Sequence, residues 1–192
     1  MNVRVCLSTL LFTFVALLSF AIWAAGTSLY RSEVAMYSLC ALVFFGLGGF
    51  ALSPASPRQD GKSLAGFSLR FAAGFALYAL IWSVSWFQFR DTFGEIVGSL
   101  FGLLGLVAIF RGKQASGYGL LTATSVVFLW HTLGYYLGGQ TYLALQNRGP
   151  LALDLPFESK TITTLARFSW GLFYGLGLGY GLSRMIHESK PR

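Results

Sequence analysis

Apolar residues form six long runs along this chain, separated by short segments of polar residues, glycine and proline. A helix needs about 20 apolar residues to cross the hydrocarbon core of a bilayer, and most of the runs reach that length. The pattern therefore predicts an all-α fold, a polytopic membrane bundle of six transmembrane helices in a single transmembrane domain over residues 1–192. The predicted spans are about 5–25, 34–53, 67–89, 95–110, 117–138 and 164–184, with a long outer loop at 139–163.

Composition supports a membrane location. Hydrophobic residues make up 55% of the chain and charged residues only 11%, whereas a soluble domain has about 25% charged residues. The first run, which follows MNVR and ends in AIWAAG, resembles a signal peptide. Trp23 lies beside any cleavage point and a clean A-x-A is missing, so we interpret this run as a retained helix.

Lysine and arginine are unevenly divided between the two sets of span ends. One set carries nine of them: Arg4, Arg58, Lys62, Arg70, Arg111, Lys113, Arg184, Lys190 and Arg192. The other carries five: Arg31, Arg90, Arg148, Lys160 and Arg167. Because basic residues favour the cytoplasmic side, both termini are predicted to be cytoplasmic, in the cell inner (plasma) membrane or an equivalent energy-transducing membrane. The net charge of +7 is thus a signal of topology and of contact with the lipid bilayer, and no nucleic-acid partner is expected.

Two strips of glycine follow a four-residue spacing, which places their members on one face of a helix. The strips are Gly94, Gly98 and Gly102 in the fourth run, and Gly171, Gly175 and Gly179 in the sixth. Small residues let membrane helices approach closely and pack by van der Waals contact. Either the fourth and sixth spans meet as a parallel pair, or a strip is left for a membrane-protein partner or a second copy.

His131 is the only ionisable residue well inside a predicted span, and such residues are functional hypotheses by default. All five tryptophans fall in the outer half of the threaded bundle. Together with nearby polar groups they form a hypothetical outer pocket for a small amphipathic ligand, since ligand pockets are mostly apolar with a few polar groups. Its residues are His131, Trp82, Trp86, Trp130, Tyr135, Arg90, Glu95, Arg167 and Trp170. The alternatives are a structural histidine, an aromatic belt and an interfacial ion-pair network.

Motifs for catalysis or metal binding are missing from the sequence. It contains no H-E-x-x-H, P-loop or D-x-x-D-G-x-x-A-R pattern. The second histidine, His187, falls at the cytoplasmic end, which disfavours a haem held by two histidines. Cys6 and Cys40 are placed near opposite faces and are not expected to pair. We therefore expect no catalytic residue, no cofactor and no metal.

Two functions follow from these patterns. The first is a non-enzymatic subunit or assembly factor of a larger membrane complex, which would act through the glycine faces. The second is a small-molecule transporter or substrate-binding membrane component, whose aromatic pocket opens to the outer face. In size, span number and cytoplasmic termini the chain resembles the substrate-binding subunits of vitamin-importing ECF systems. A lipid-modifying enzyme that uses His131, Glu95 or Asp91 is a third alternative.

Overall fold

The structure, a computed structural model, describes residues 2–56, 63–112, 116–148 and 150–188. The six helices are α1 (Val3–Ala25), α2 (Glu33–Leu52), α3 (Leu64–Phe89), α4 (Asp91–Arg111), α5 (Gly117–Leu145) and α6 (Ser159–Glu188). Short 3₁₀ turns follow α1 at Gly26–Ser28 and α2 at Ser53–Ala55. No strand occurs in these ranges, which confirms the predicted all-α class.

Side-chain caps mark where four of the helices begin. The capping residues are Asn2, Ser32, Ser63 and Ser116, and each accepts a hydrogen bond from a backbone N–H in the first turn that follows. Such caps satisfy amide groups that have no partner inside the helix. The short polar segments between apolar runs therefore do more than separate the helices, because they also fix the starting residues.

The outer loop predicted at 139–163 is shorter in the structure. Helix α5 continues to Leu145 and α6 already begins at Ser159, so the connection covers only residues 146–158. The added part of α5 is held by Tyr142, whose ring packs on those of Trp23 (5.7 Å between centroids) and Trp170 (5.5 Å). Tertiary packing thus extends a helix through a segment whose polar residues suggested a loop.

The helices form a ring in chain order, and α6 closes it by packing between α5 and α1. Neighbours in the ring are antiparallel. At one end the Asn2 amide nitrogen lies 3.1 Å from His187 Nε2, and at the other Arg167 Nη1 donates to the Trp23 carbonyl at 2.8 Å. We call these the terminal end and the distal end.

Five of the helices are long and apolar enough to cross a membrane, judged on the described residues: α1, α2 with its 3₁₀ turn, α3, α4 and α5. This supports a multi-pass membrane protein. Helix α6 is not among the five, although it has 30 residues. Its many glycines and its charged or polar ends lower its hydropathy. These glycines contact neighbouring helices.

Both glycine strips pack against the protein's own helices. A Cβ atom on Gly98 of α4 would lie 2.8 Å from Trp82 Cα in α3, and one on Gly175 of α6 would lie 2.8 Å from Thr13 Cα in α1. All six glycines of the strips are buried. The expectation that the fourth and sixth spans form a parallel pair is wrong, because α4 packs mainly on α3 while α6 lies between α1 and α5.

Phenylalanine fills the bundle from its middle towards the terminal end. Phe44 stacks on Phe75 at 5.1 Å between ring centroids, and Phe75 stacks on Phe71 at 5.5 Å. Phe12 meets Phe71 edge to face at 5.9 Å. These four buried side chains, the phenylalanine cluster, come from α1, α2 and α3. Small hydroxyl side chains, among them Ser8, Thr13 and Ser68, are buried in the same half of the bundle.

A buried histidine and a polar column

His131 lies in the middle of α5, and its side chain is only 1% exposed. Its Nε2 atom is 2.9 Å from the hydroxyl oxygen of Tyr78 in α3. The imidazole stacks on the ring of Tyr135, one turn further along α5, with 5.9 Å between centroids. The Nδ1 atom is buried and has no hydrogen-bond partner among the described residues. The imidazole therefore keeps one polar atom for which the described part of the chain supplies no partner.

Further hydroxyl groups surround the histidine. The Tyr78 side chain also faces the hydroxyls of Tyr174 in α6 and Ser99 in α4. The Tyr174 ring meets the imidazole edge to face, with 5.7 Å between centroids. Four helices thus each contribute a polar group at one level of the bundle. Polar groups at membrane depth are retained when they have partners or a function.

Glu95 extends this arrangement towards the distal end. Its Oε1 accepts a hydrogen bond from the Tyr135 hydroxyl at 3.0 Å, and its Oε2 accepts one from Tyr136 at 3.3 Å. The carboxylate is partly exposed, and Tyr135 connects it to His131. We call the whole set the polar column: Glu95, Tyr135, His131, Tyr78, Tyr174 and Ser99. It offers a carboxylate, an imidazole and several hydroxyls, a mixture of donors and acceptors suited to a small polar molecule.

Aromatic rings flank the polar column at the distal end. Trp170 of α6 packs edge to face on Tyr135 at 5.6 Å, and Trp23 of α1 packs on Trp170 at 6.0 Å. The Arg167 guanidinium lies 4.8 Å above the Trp23 ring, a cation–π geometry. Its Nε atom is buried and has no partner among the residues described.

The predicted pocket residues lie in three places and do not surround one cavity. Four of them belong to the polar column or touch it: His131, Tyr135, Glu95 and Trp170. Arg167 is linked to this group through Trp23. Trp82 and Trp86 stack along α3 at 6.5 Å, and Arg90 covers Trp86 at 5.2 Å.

Trp130 lies elsewhere, on another face of α5. Its ring packs edge to face on Tyr180 at 4.6 Å, and both residues line a groove on the outside of the bundle. Residues 130 and 131 are adjacent in sequence but are turned about 100° apart on a helix. The grouping of Trp130 with His131 in one pocket is therefore corrected.

The sequence reasoning missed Tyr78 as the partner of His131. The signal was present as spacing, because Tyr78, Trp82 and Trp86 recur every four residues on α3. The same spacing relates Tyr135 to His131 and Tyr174 to Trp170. Residues four apart share a helix face. The spacing therefore identified an aromatic face on each helix, but it could not identify the neighbouring helix against which that face packs.

Charged and metal-binding groups are sparse within the described ranges. No three His, Cys, Asp or Glu side chains lie together as a metal site would need. Cys6 and Cys40 are free, which confirms that they do not pair. Five of the nine basic residues expected at the cytoplasmic ends lie outside the described residues: Arg58, Lys62, Lys113, Lys190 and Arg192.

Comparison of the chain with protein-family models, with curated proteins and with solved structures finds no match.

Proposed function

We propose that all six helices cross the membrane, with the terminal end on the cytoplasmic side of a plasma-type or energy-transducing membrane. Because α1 and α6 are antiparallel, the two ends of the chain lie on the same side of the bundle, which supports an even number of crossings. The basic residues at the terminal end, with Arg4, Arg111 and Arg184 among those described, support its orientation through the positive-inside rule. The distal end then faces outward.

We further propose that the protein is a non-enzymatic binding component for a small amphipathic molecule, taken up or carried from the outer side. The observation that carries this proposal is the polar column, which runs from a partly exposed carboxylate at Glu95 to a fully buried imidazole at His131. Polar and ionisable groups are expensive in a membrane interior and mark ligand or ion pathways. The flanking rings of Trp170 and Trp23 suit the apolar part of such a ligand.

The role of subunit or assembly factor ranks second. This role requires glycine faces that are free to bind a partner. The glycines of both strips instead contact α1 and α3 of the same chain. The feature that still favours it is the apolar groove beside Trp130, on the outside of the bundle. A partner would have to use that groove or another lipid-facing surface.

Native mass spectrometry after gentle extraction from the native membrane tests the two roles together. Ligand binding predicts a stoichiometric small molecule on a single protomer. The variant His131→Ala should lose that molecule because it removes the imidazole at the centre of the polar column. Trp130→Phe is the matched control, since it alters the same helix one residue away and should keep the molecule.

A stoichiometric protein companion without a small molecule would contradict ligand binding and support the assembly role. Equal loss of the molecule in His131→Ala and Trp130→Phe would also contradict a site at the polar column. To separate binding from folding, the thermal unfolding of each variant is recorded on the same preparation.

A further inference from the structure

An apolar groove with a volume of about 460 Å³ crosses the outside of α6 between α1 and α5. Leu10 forms one wall, Leu133 and Leu137 form the other, and Phe173 and Leu176 line the floor. These leucines are between 36% and 59% exposed, so the groove opens sideways from the bundle. In a membrane this opening faces the acyl chains of the lipid.

Two glycines create the hollow. Gly134 of α5 and Gly177 of α6 bring the two backbones so close that a Cβ on Gly134 would lie 2.9 Å from Gly177 Cα. Because neither residue has a side chain, the surface above their contact stays open while larger residues rise on both sides. The groove is therefore built by the fold and is more than a gap between flexible side chains.

Two arginine side chains lie at the terminal end, which the groove approaches. The Tyr180 ring lines the groove, and its hydroxyl interacts with the guanidinium of Arg184, one turn further along α6. Arg184 also pairs with Glu188, with 2.8 Å between Nε and Oε1, and its side chain is 46% exposed. Arg4 of α1 is exposed at the same end. The groove thus joins an apolar channel to an accessible guanidinium.

We propose that this groove binds an anionic phospholipid of the leaflet at the terminal end, with one acyl chain along α6 and the phosphate at Arg184. The apolar lining matches an acyl chain, and Arg184 matches a phosphate because guanidinium groups bind phosphate oxygens through charge-assisted hydrogen bonds. Anionic lipids are enriched in the cytoplasmic leaflet, where basic residues near the surface attract them. The proposal rests on the proposed orientation of the terminal end, but it concerns a surface separate from the polar column and does not depend on the ligand of that column.

The test uses the full-length protein, stripped of lipid in detergent and then offered phosphatidylglycerol or phosphatidylcholine with the same acyl chains. Native mass spectrometry counts bound lipids, and thermal unfolding reports stabilisation. We expect one phosphatidylglycerol to be retained preferentially over phosphatidylcholine. Arg184→Gln should reduce that preference about fivefold, which corresponds to about 1 kcal/mol for one basic residue at a membrane surface.

Matched variants separate the groove from general surface charge. Arg70→Gln removes another exposed arginine near the terminal end, on α3, and should leave lipid retention unchanged. Leu133→Trp fills the groove and should abolish retention of either lipid. Leu129→Trp, one turn earlier on the exposed surface of α5, should not.

Three results would overturn the proposal. Equal retention of the two lipids with no effect of Arg184→Gln would remove the phosphate site. Full stabilisation by glycerol 3-phosphate alone would indicate an anion site that needs no acyl chain. Disulfide cross-linking of Cys6, which lines the groove, to a second copy or another protein in native membranes would indicate a protein occupant.

Discussion

Two groups of aromatic rings inside the bundle, the phenylalanine cluster and the rings of the polar column, differ in their chemistry. The phenylalanine cluster lies from the middle towards the terminal end, and its rings have no polar atoms, as in the contact of Phe44 with Phe75. Around the polar column the rings belong mainly to tyrosine, tryptophan and histidine, with Phe20 beside Tyr174, and the contacts include hydrogen bonds to His131 and Glu95. We propose that the polar atoms of the column serve ligand binding.

The largest loss of stability is expected where two helix backbones touch and leave no room for a side chain. The substitution Gly177→Leu places a side chain against the backbone of Trp130 and Gly134. Because backbone atoms cannot move aside easily, we expect destabilisation of about 3 kcal/mol or more. Unfolding in mixed micelles measures it. The control is Gly46→Leu in α2, where a Cβ meets nothing within 4 Å; an equal loss there would contradict the packing account.

The next effect belongs to the phenylalanine cluster. Phe71→Ala removes a fully buried ring that contacts Phe12 and Phe75, and the cavity should cost about 3 kcal/mol. Exposed Phe87→Ala on the same helix is the control and should change stability by less than about 0.5 kcal/mol. If Phe71→Ala and Phe87→Ala lower the free energy of unfolding equally, burial in the phenylalanine cluster does not stabilise the bundle as we propose.

A smaller loss of stability is expected in the polar column. Tyr78→Phe keeps the ring but removes the hydroxyl bonded to His131 Nε2. Hydrogen bonds between membrane helices contribute about 0.6 kcal/mol on average, so we expect a destabilisation of about 1 kcal/mol, measured in the same micelles. Tyr118→Phe is the control, because Tyr118 is exposed at the start of α5. A loss as large as that of Phe71→Ala would make the column primarily structural.

The smallest change in stability should come from Glu95→Gln. The amide retains an acceptor for one tyrosine hydroxyl, and the site is partly exposed, so we expect less than about 0.5 kcal/mol. Ligand retention should nevertheless fall, because the carboxylate charge is lost. Glu158→Gln, at an exposed position before α6, should alter neither property. Unchanged retention in Glu95→Gln would exclude the carboxylate from binding.

Much of the fold could be predicted from the sequence, since long apolar runs with polar breaks fix the number and order of the helices. The sequence could not predict which neighbouring helix each helix face packs against. The spacing of Gly171, Gly175 and Gly179 identified a packing surface but not α1 as its partner. For the same reason, Trp130 was grouped with His131 although the two side chains point to different neighbours.

The candidate site was predicted in part. His131 stood out because an ionisable residue in an apolar run has few ordinary explanations. Its partner Tyr78 did not, because a tyrosine in a run of aromatic residues looks like any other packing residue. Only the antiparallel pairing of the ring of helices brings Tyr78, Tyr174 and Ser99 to the level of the imidazole.

The most direct test of this account is the amount of small molecule retained per mole of protein in Tyr78→Phe and Phe71→Ala, each purified from the native membrane and compared with wild type. The account predicts that Phe71→Ala keeps the wild-type molar content although it is the less stable variant, while Tyr78→Phe loses most of it. Retention that simply follows stability, with Phe71→Ala losing more than Tyr78→Phe, would contradict a binding site in the polar column.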